Sequence, residues 1–305
     1  GGYVSQIVSS EVSEFVSGYR AQSTLPVELA LRARYNPSLD PGWFGAINSV
    51  IQSITMLSLV LTGAGMSTGS GLPDYRGRDA VPRSPMTYQE FVSGPAAQQR
   101  YWARSHLGWS RMRRAEPNAG HRAVAALGAD LVITQNVDGL HEAAGTHPLV
   151  ALHGRIADVV CLTCRRTTSR AALQQRLEDA NPGWAARHAD VAVRPDGDVD
   201  LDDTAGFVVP GCVDCDGVLK PDVVFFGENV APATALKAMT AVEHAEGLLV
   251  VGSSLMAYSA FRLCKAMVEQ GKPVIAINLG KTRGDELLQV KIQASCERLL
   301  PLLSE

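Results

Sequence analysis

Five short apolar runs, each ending in a polar motif, constrain the fold of this chain more than any other feature. Leu57–Leu61 leads into Gly63-Ala64-Gly65, Leu131–Ile133 into Thr134-Gln135-Asn136-Val137-Asp138, and Leu149–Leu152 into His153-Gly154. Leu248–Val251 leads into Gly252-Ser253-Ser254, and Val274–Ile277 into Asn278-Leu279-Gly280. Helix-like stretches alternate with the runs, among them Ala119–Leu127, Ala233–Ala245 and Ser259–Gln270. Strands alternating with helices predict a mostly parallel, doubly wound α/β sheet. Ligands of such sheets bind beyond the carboxyl ends of the strands, which is where all the polar motifs fall.

The first motif continues as Gly-Ala-Gly-Met-Ser-Thr-Gly-Ser-Gly-Leu-Pro-Asp-Tyr-Arg, Gly63 to Arg76. A buried strand running into a glycine-rich turn is the sequence form of a dinucleotide-phosphate site. The glycines let the backbone approach the pyrophosphate, and N–H groups at a loop or helix start supply donors. The spacing departs from G-x-G-x-x-G, because Gly69 and Gly71 follow a serine-rich insert, and the loop ends in a charged, aromatic tail. A plain flexible turn would not need that tail. Gln135, Asn136 and Asp138 put two amides and a carboxylate on one short loop. The amides suit ribose hydroxyls and the carboxylate suits a carboxamide N–H, while Asp138 could equally cap the helix that follows. Ser253 and Ser254 read as a second phosphate turn or as a helix N-cap. Asn278 would meet a ribose or simply turn the chain. His153, at a strand end, is the candidate general base; its rival His141, at a helix start, suits packing or hydrogen bonding better.

The 305 residues allow one large domain, or a large domain carrying a smaller inserted one. A net charge of −3 leaves no electrostatic footprint for nucleic acid. The apolar runs fall far short of the roughly 20 residues of a membrane helix, and no secretory signal is visible. Cys161-x-x-Cys164 and Cys212-x-x-Cys215 supply four thiolates in two knuckles, the ligand set of a closed structural zinc site. Residues 77–114, helical and rich in arginine and aromatics, and residues 159–217, holding the knuckles, read as two insertions that form the smaller domain. Residues 1–45 read as an extension of unclear role and 46–305 as the catalytic domain. The compartment reads as reducing and cytoplasmic, with the mitochondrial matrix as alternative if a targeting segment preceded Gly1.

Taken together these pieces resemble the sirtuin family. Gly63–Arg76, Thr134–His141, Leu152–Gly154, the two cysteine knuckles, Gly217–Glu228, Gly252–Leu255 and the Asn278 turn occur in family order over roughly residues 50–303. Gln99–Arg104, Pro195–Val199 and the segments around Gly252 and Asn278 look closest to the class II branch. The resemblance implies an NAD-dependent protein-lysine deacylase with a Rossmann-type large domain and a zinc-bearing small domain. It implies NAD contacts at Gly63, Ala64, Gly65, Asp74, Tyr75, Arg76, Gln135, Asn136, Val137, Asp138, Gly252, Ser253, Ser254, Asn278, Leu279, Gly280 and Cys296. His153, Asn136 and Asp138 would be catalytic. The acyl oxygen of the substrate lysine would attack C1′ of the nicotinamide ribose, His153 would deprotonate a ribose hydroxyl, and water would yield free lysine and O-acyl-ADP-ribose. Val224, Phe225, Phe226, Gly227 and Glu228 would pair as an added strand with an extended acyl-lysine peptide.

Three positions depart from the family pattern or add to it. Gly69 stands where a glutamate is usual, which predicts a more mobile loop. Tyr75 stands where many members have Phe, with the ring kept. Tyr101 and Arg104 have the spacing with which another branch reads acidic acyl groups, through an arginine–carboxylate pair. An ADP-ribosyltransferase or NAD hydrolase using the same cleft is the alternative activity, and a zinc-ribbon module that senses NAD without turnover is an alternative from another class.

Overall fold

The computed structural model describes residues 30–33, 59–72, 74, 85–188, 201 and 203–303. Its strands are β1 (Ala30–Ala33), β2 (Leu59–Thr62), β3 (Leu131–Thr134), β4 (Leu149–Ala151), β5 (Gly154–Cys161), β6 (Thr167–Ser169), β7 (Leu219–Val223), β8 (Leu248–Val251), β9 (Val274–Ile277) and β10 (Val290–Gln293). Helices are α1 (Tyr88–Phe91), α2 (Pro95–Met112), α3 (Ala119–Ala126), α4 (Leu140–Ala143), α5 (Arg170–Ala180), α6 (Trp184–Arg187), α7 (Pro232–His244), α8 (Tyr258–Glu269) and α9 (Cys296–Leu299).

The large sheet runs β1-β10-β9-β8-β2-β3-β4. Its six strands from β10 to β4 are parallel, and β1 joins antiparallel at the β10 edge. The central strands β2, β8 and β9 are buried at every position. Continuous Val/Leu/Ile runs suit strands covered on both faces, and their alternate residues feed two separate cores. Leu59, Leu61, Val250 and Ala276 pack with Val242, Leu263 and Met267 of α7 and α8. Val60, Leu249, Val251, Ile275 and Ile277 pack on the other face with Ala123, Val124 and Leu300. Each fully buried aliphatic contributes roughly 1.5–3 kcal/mol, so these short strands are held by what covers them.

The expected doubly wound sheet is present, with different boundaries. Among the described residues β2 and β3 each run on to a buried threonine, Thr62 and Thr134. Those threonines become part of the site. α7 starts at Pro232, where a proline at the first helical position sacrifices no hydrogen bond. A second sheet, β6-β5-β7, is antiparallel. A third core joins Trp102 and Ala103 of α2 to Val159, Leu173, Leu177, Trp184, Phe207 and Leu219. Arg170 is fully buried there, its guanidinium 5.3 Å from the Trp102 ring and 4.8 Å from that of Trp109. Of the N-terminal extension only β1 is among the described residues, and the Pro195–Val199 loop lies outside them.

Candidate functional site

β2 and β8 are neighbours at the middle of the large sheet, with β3 and β4 to one side and β9 and β10 to the other. Strand order reverses between them, and beyond such a switch point lies the ligand crevice of a doubly wound sheet. The turns that follow the two strands pack backbone on backbone. Gly65 N donates to Gly252 O at 2.8 Å, and Gly63 N to Val251 O at 3.1 Å. A Cβ at Gly63 or at Gly65 would stand 2.9 Å from Gly252 O. Gly252 has φ 58°, and a Cβ there would lie 2.6 Å from Met66 N. These glycines are therefore required by the contact between two strand ends, before any phosphate arrives. The amides of Ala64, Ser253 and Ser254 make no hydrogen bond among the described residues. Three free N–H groups at one junction are a fitting donor set for a pyrophosphate.

Hydroxyls tie the loop after β3 to this junction. Asn136 Nδ2 donates to Gly63 O and to Ser67 Oγ, both at 3.0 Å. Its Oδ1 has no donor among the described residues and remains open to a hydroxyl. Ser67 Oγ donates in turn to Asp138 Oδ2 at 2.6 Å, while Leu140 N donates to Asp138 Oδ1 at 2.9 Å. Asp138 thus holds the first amide of α4, whose N-cap is Gly139, and anchors the glycine loop. Burial raises its pKa, opposed by the Ser67 and Leu140 donors. Gln135 Nε2 donates to Ser253 Oγ at 2.7 Å and to Thr62 O at 3.1 Å, joining the ends of β2, β3 and β8. Val137 O accepts from Ile156 N at 2.8 Å. Ser67 was not among the expected site residues, although its place within the glycine turn could have marked it.

The other strand ends also differ in detail from expectation. Ser253 Oγ accepts from Leu255 N at 3.1 Å, and α8 begins only at Tyr258, so Ser253 and Ser254 cap no helix. Asn278 is buried, with Nδ2 donating to Leu279 O at 2.9 Å and Gly280 O at 3.4 Å. Leu279 is exposed and Gly280 adopts φ 80°. Cys296 is buried, its Sγ 3.7 Å from Ile277 O, and burial pushes the thiol pKa up to about 12. The Glu297 carboxylate rests against Gly69, in the space a side chain there would fill. Asp74 is half-buried, whereas Tyr75 and Arg76 lie outside the described residues.

His153, after β4, is half-buried, with Nδ1 3.0 Å from Gln135 O and Nε2 2.8 Å from Ser259 Oγ. Burial lowers its pKa, partly offset by the Gln135 carbonyl, so the imidazole is neutral near pH 7. His141 is fully buried, its Nε2 2.9 Å from Thr62 Oγ1 and its Nδ1 3.3 Å from Thr146 Oγ1. Its ring meets that of His121 at 4.9 Å. Burial takes His141 down to about 3 and His121 to about 4. The pair supports the site from behind. Thr62 Oγ1 is 2.9 Å from Thr134 Oγ1, which accepts from Asn136 N at 3.1 Å. Asn118, whose amide N donates to His121 Nδ1, itself donates to Met66 O at 2.7 Å and Ser70 Oγ at 3.1 Å.

The four knuckle thiols converge within 4.8 Å of one another. Cys161 Sγ is 3.6 Å from Cys215 Sγ, and Cys164 Sγ is 3.7 Å from Cys212 Sγ. Those separations fit a tetrahedron with Zn–S bonds of about 2.3 Å. Both knuckles close alike, Arg165 N donating to Cys161 O at 3.0 Å and Asp216 N to Cys212 O at 2.9 Å. Arg165 and Asp216 take left-handed φ of 64° and 55°.

Residues 224–228, expected to pair with an extended peptide, follow β7 directly. Val224 N donates to His153 O at 2.8 Å, then Glu228 N returns to Phe225 O at 3.0 Å and closes a turn. Tyr88 N donates to Phe226 O at 2.9 Å, and Gln89 Nε2 to Gly227 O at 3.1 Å. Gly227, at φ 77°, allows the turn. Buried Lys220 locks it, its Nζ 2.9 Å from Glu228 Oε2 and 4.7 Å from the Phe225 ring centre. Tyr101 belongs to an aromatic cluster with Phe91 and Phe225, at centroid distances of 5.5 and 5.3 Å. Arg104 is half-buried one turn further along α2.

An α/β protein with a dinucleotide-type crevice at the sheet's switch point and a separate four-thiolate metal module is the class that fold and site define. The sequence model of the Sir2 family matches residues 63–259, and the chain belongs to that family. It is 59% identical over 256 residues to NAD-dependent protein deacetylase 3 of Pseudomonas syringae pv. tomato, spanning 81% of this chain and 90% of that protein. It is 48% identical over 253 residues to NAD-dependent protein deacetylase 1 of Mycobacterium avium, spanning 81% and 90%. Similar solved structures include Sir2 with a p53 peptide and NAD+, at TM-score 0.66 and 29% identity over 82% of this chain and 94% of that one. Sir2 bound to a propionylated peptide superposes at TM-score 0.62 with 28% identity over 83% and 94%.

Proposed function

We propose that this chain removes acyl groups from protein lysines at the expense of NAD. The observation that carries the reading is the convergence of His153, Asn136 and Asp138 with the glycine turns at one switch point, in a chain whose relatives are named NAD-dependent protein deacetylases. NAD, when bound, supplies an electrophilic ribose carbon with nicotinamide as its leaving group. The Ala64, Ser253 and Ser254 amides take the pyrophosphate, and Asn136 Oδ1 accepts a ribose hydroxyl. Asp138 faces the carboxamide end. His153 accepts the ribose hydroxyl proton. Cys161, Cys164, Cys212 and Cys215 hold a structural zinc that keeps β5 and β7 together.

The acyl-lysine peptide enters beside exposed Phe226, with the lysine directed past Phe225. Tyr101 lies against Phe225, and Arg104 follows on the same side of α2. Comparing acetyl with succinyl peptides on an Arg104→Ala variant tests a role in acyl choice; equal losses would exclude it. No helix among the described residues is long and apolar enough to cross a membrane. The bacterial origin of the relatives supports placing the enzyme in a bacterial cytoplasm. A His153→Ala variant that still binds peptide is expected to lose NAD-dependent deacylation by at least about a hundredfold. Retention of the wild-type rate would exclude His153 as the base.

A further inference from the structure

We infer that Ser259 is a positioning residue for His153, holding the imidazole in the one tautomer and ring orientation that leave Nε2 able to take a proton. The inference rests on the reading of His153 as the base.

The argument needs only the two contacts of the ring. The Gln135 carbonyl can accept but not donate, so the proton of that 3.0 Å contact sits on Nδ1. A neutral imidazole with hydrogen on Nδ1 carries its lone pair on Nε2. The hydrogen between Nε2 and Ser259 Oγ, 2.8 Å apart, is therefore the serine's. The ring is pinned at both ends, and a half-turn about its axis would forfeit both hydrogen bonds. Neither anchor is loose. Gln135 N donates to Thr62 O at 3.0 Å, and its side chain reaches Ser253. Ser259 is the second residue of α8, a helix fixed by fully buried Ala260, Leu263, Cys264 and Met267.

The serine also explains how a buried base keeps a partner throughout turnover. Before the ribose hydroxyl arrives, Ser259 donates to the lone pair and no polar nitrogen is left bare. The substrate hydroxyl then takes that place and gives its proton to Nε2. One O–H bond breaks, one N–H bond forms, and the electron pair stays on the ribose oxygen. The new Nε2–H finds an acceptor in Ser259 Oγ, because a hydroxyl can reverse its role. Ser259 was not legible as a site residue, being one serine in the helix-like stretch from 259 to 270.

The test separates nicotinamide loss, which does not use the base, from deacylation, which does. Ser259→Ala is expected to slow formation of free-lysine peptide by about tenfold, with exchange of labelled nicotinamide into NAD changed less than about twofold. Ser259→Thr, which keeps the hydroxyl, restores deacylation. In a His153→Ala background Ser259→Ala costs nothing further, since the serine acts only through the imidazole. Nitrogen-15 spectra of His153 should show a single Nδ1–H tautomer in the wild type and a mixture in Ser259→Ala. The inference falls if Ser259→Ala deacylates at the wild-type rate, if exchange and deacylation drop together, or if the two substitutions multiply. A His153→Ala variant with normal deacylation would overturn the base assignment itself, a result distinct from any of these.

Discussion

Acid should unfold this protein through the histidine pair behind its glycine loop. His121 and His141 are buried side by side and hold pKa values near 4 and 3, against about 6.5 in an unfolded chain. Between those limits the unfolded state binds more protons than the folded state, so stability rises with pH. Their neutral-state contribution is intact above pH 6.5 and is lost as pH falls toward 4. For a group shifted from 6.5 to 4 or lower, going from pH 7.5 to 5.0 costs about 2 kcal/mol. Two such groups cost about 4 kcal/mol, a large part of an ordinary domain's margin. The assay is urea unfolding at both pH values for the wild type, His121→Asn and His141→Gln. Asn keeps an acceptor where Nδ1 receives the Asn118 amide, and Gln keeps a polar group where Nε2 meets Thr62. Each variant should lose about 2 kcal/mol of the pH-dependent drop, whatever its own starting stability. Thiolate protonation weakens zinc binding in all three proteins alike, so the difference between slopes is the readout. Equal slopes in all three would refute the reasoning.

Gly252→Ala forces a Cβ against Met66 N at positive φ. We expect a loss of at least about 2 kcal/mol in urea and no measurable NAD-dependent turnover. Metal analysis should find one zinc per chain, and chelation should lower the melting temperature together with peptide affinity; an unchanged melt would exclude a structural metal. Lys220→Met strips the partner from Glu228, and we expect about 1–3 kcal/mol of destabilisation and a raised peptide KM. Lys220→Met with Glu228→Gln should recover part of that loss.

The parts legible in the sequence were those whose chemistry is local. The apolar runs marked the buried parallel strands because both faces of the sheet are covered, and paired spacing alone brought four cysteines together. Strands β1 and β10 escaped. β10 carries Lys291 between its apolar residues, and its burial is explained by Asp285, 2.7 Å away, a partner outside the strand. Hydroxyl functions were hidden for the same reason. Thr62, Thr134, Ser67 and Ser259 act through partners 71 to 106 residues away. Gln135 and Asn278 were correctly placed at strand ends, and the hydrogen bonds of their amides to Ser253, Thr62, Leu279 and Gly280 were not legible there. The Phe225–Glu228 turn depends on buried Lys220 and on Thr87, neither of which marks a strand or a turn by itself.

The central claim is that NAD cleavage is coupled to removal of an acyl group from lysine. One incubation with an acetyl-lysine peptide and NAD, its products quantified by mass spectrometry with and without peptide, tests it most directly. The account predicts equal amounts of nicotinamide, free-lysine peptide and O-acetyl-ADP-ribose, and none of the three without peptide. Nicotinamide and plain ADP-ribose appearing at the same rate in the peptide's absence would contradict it.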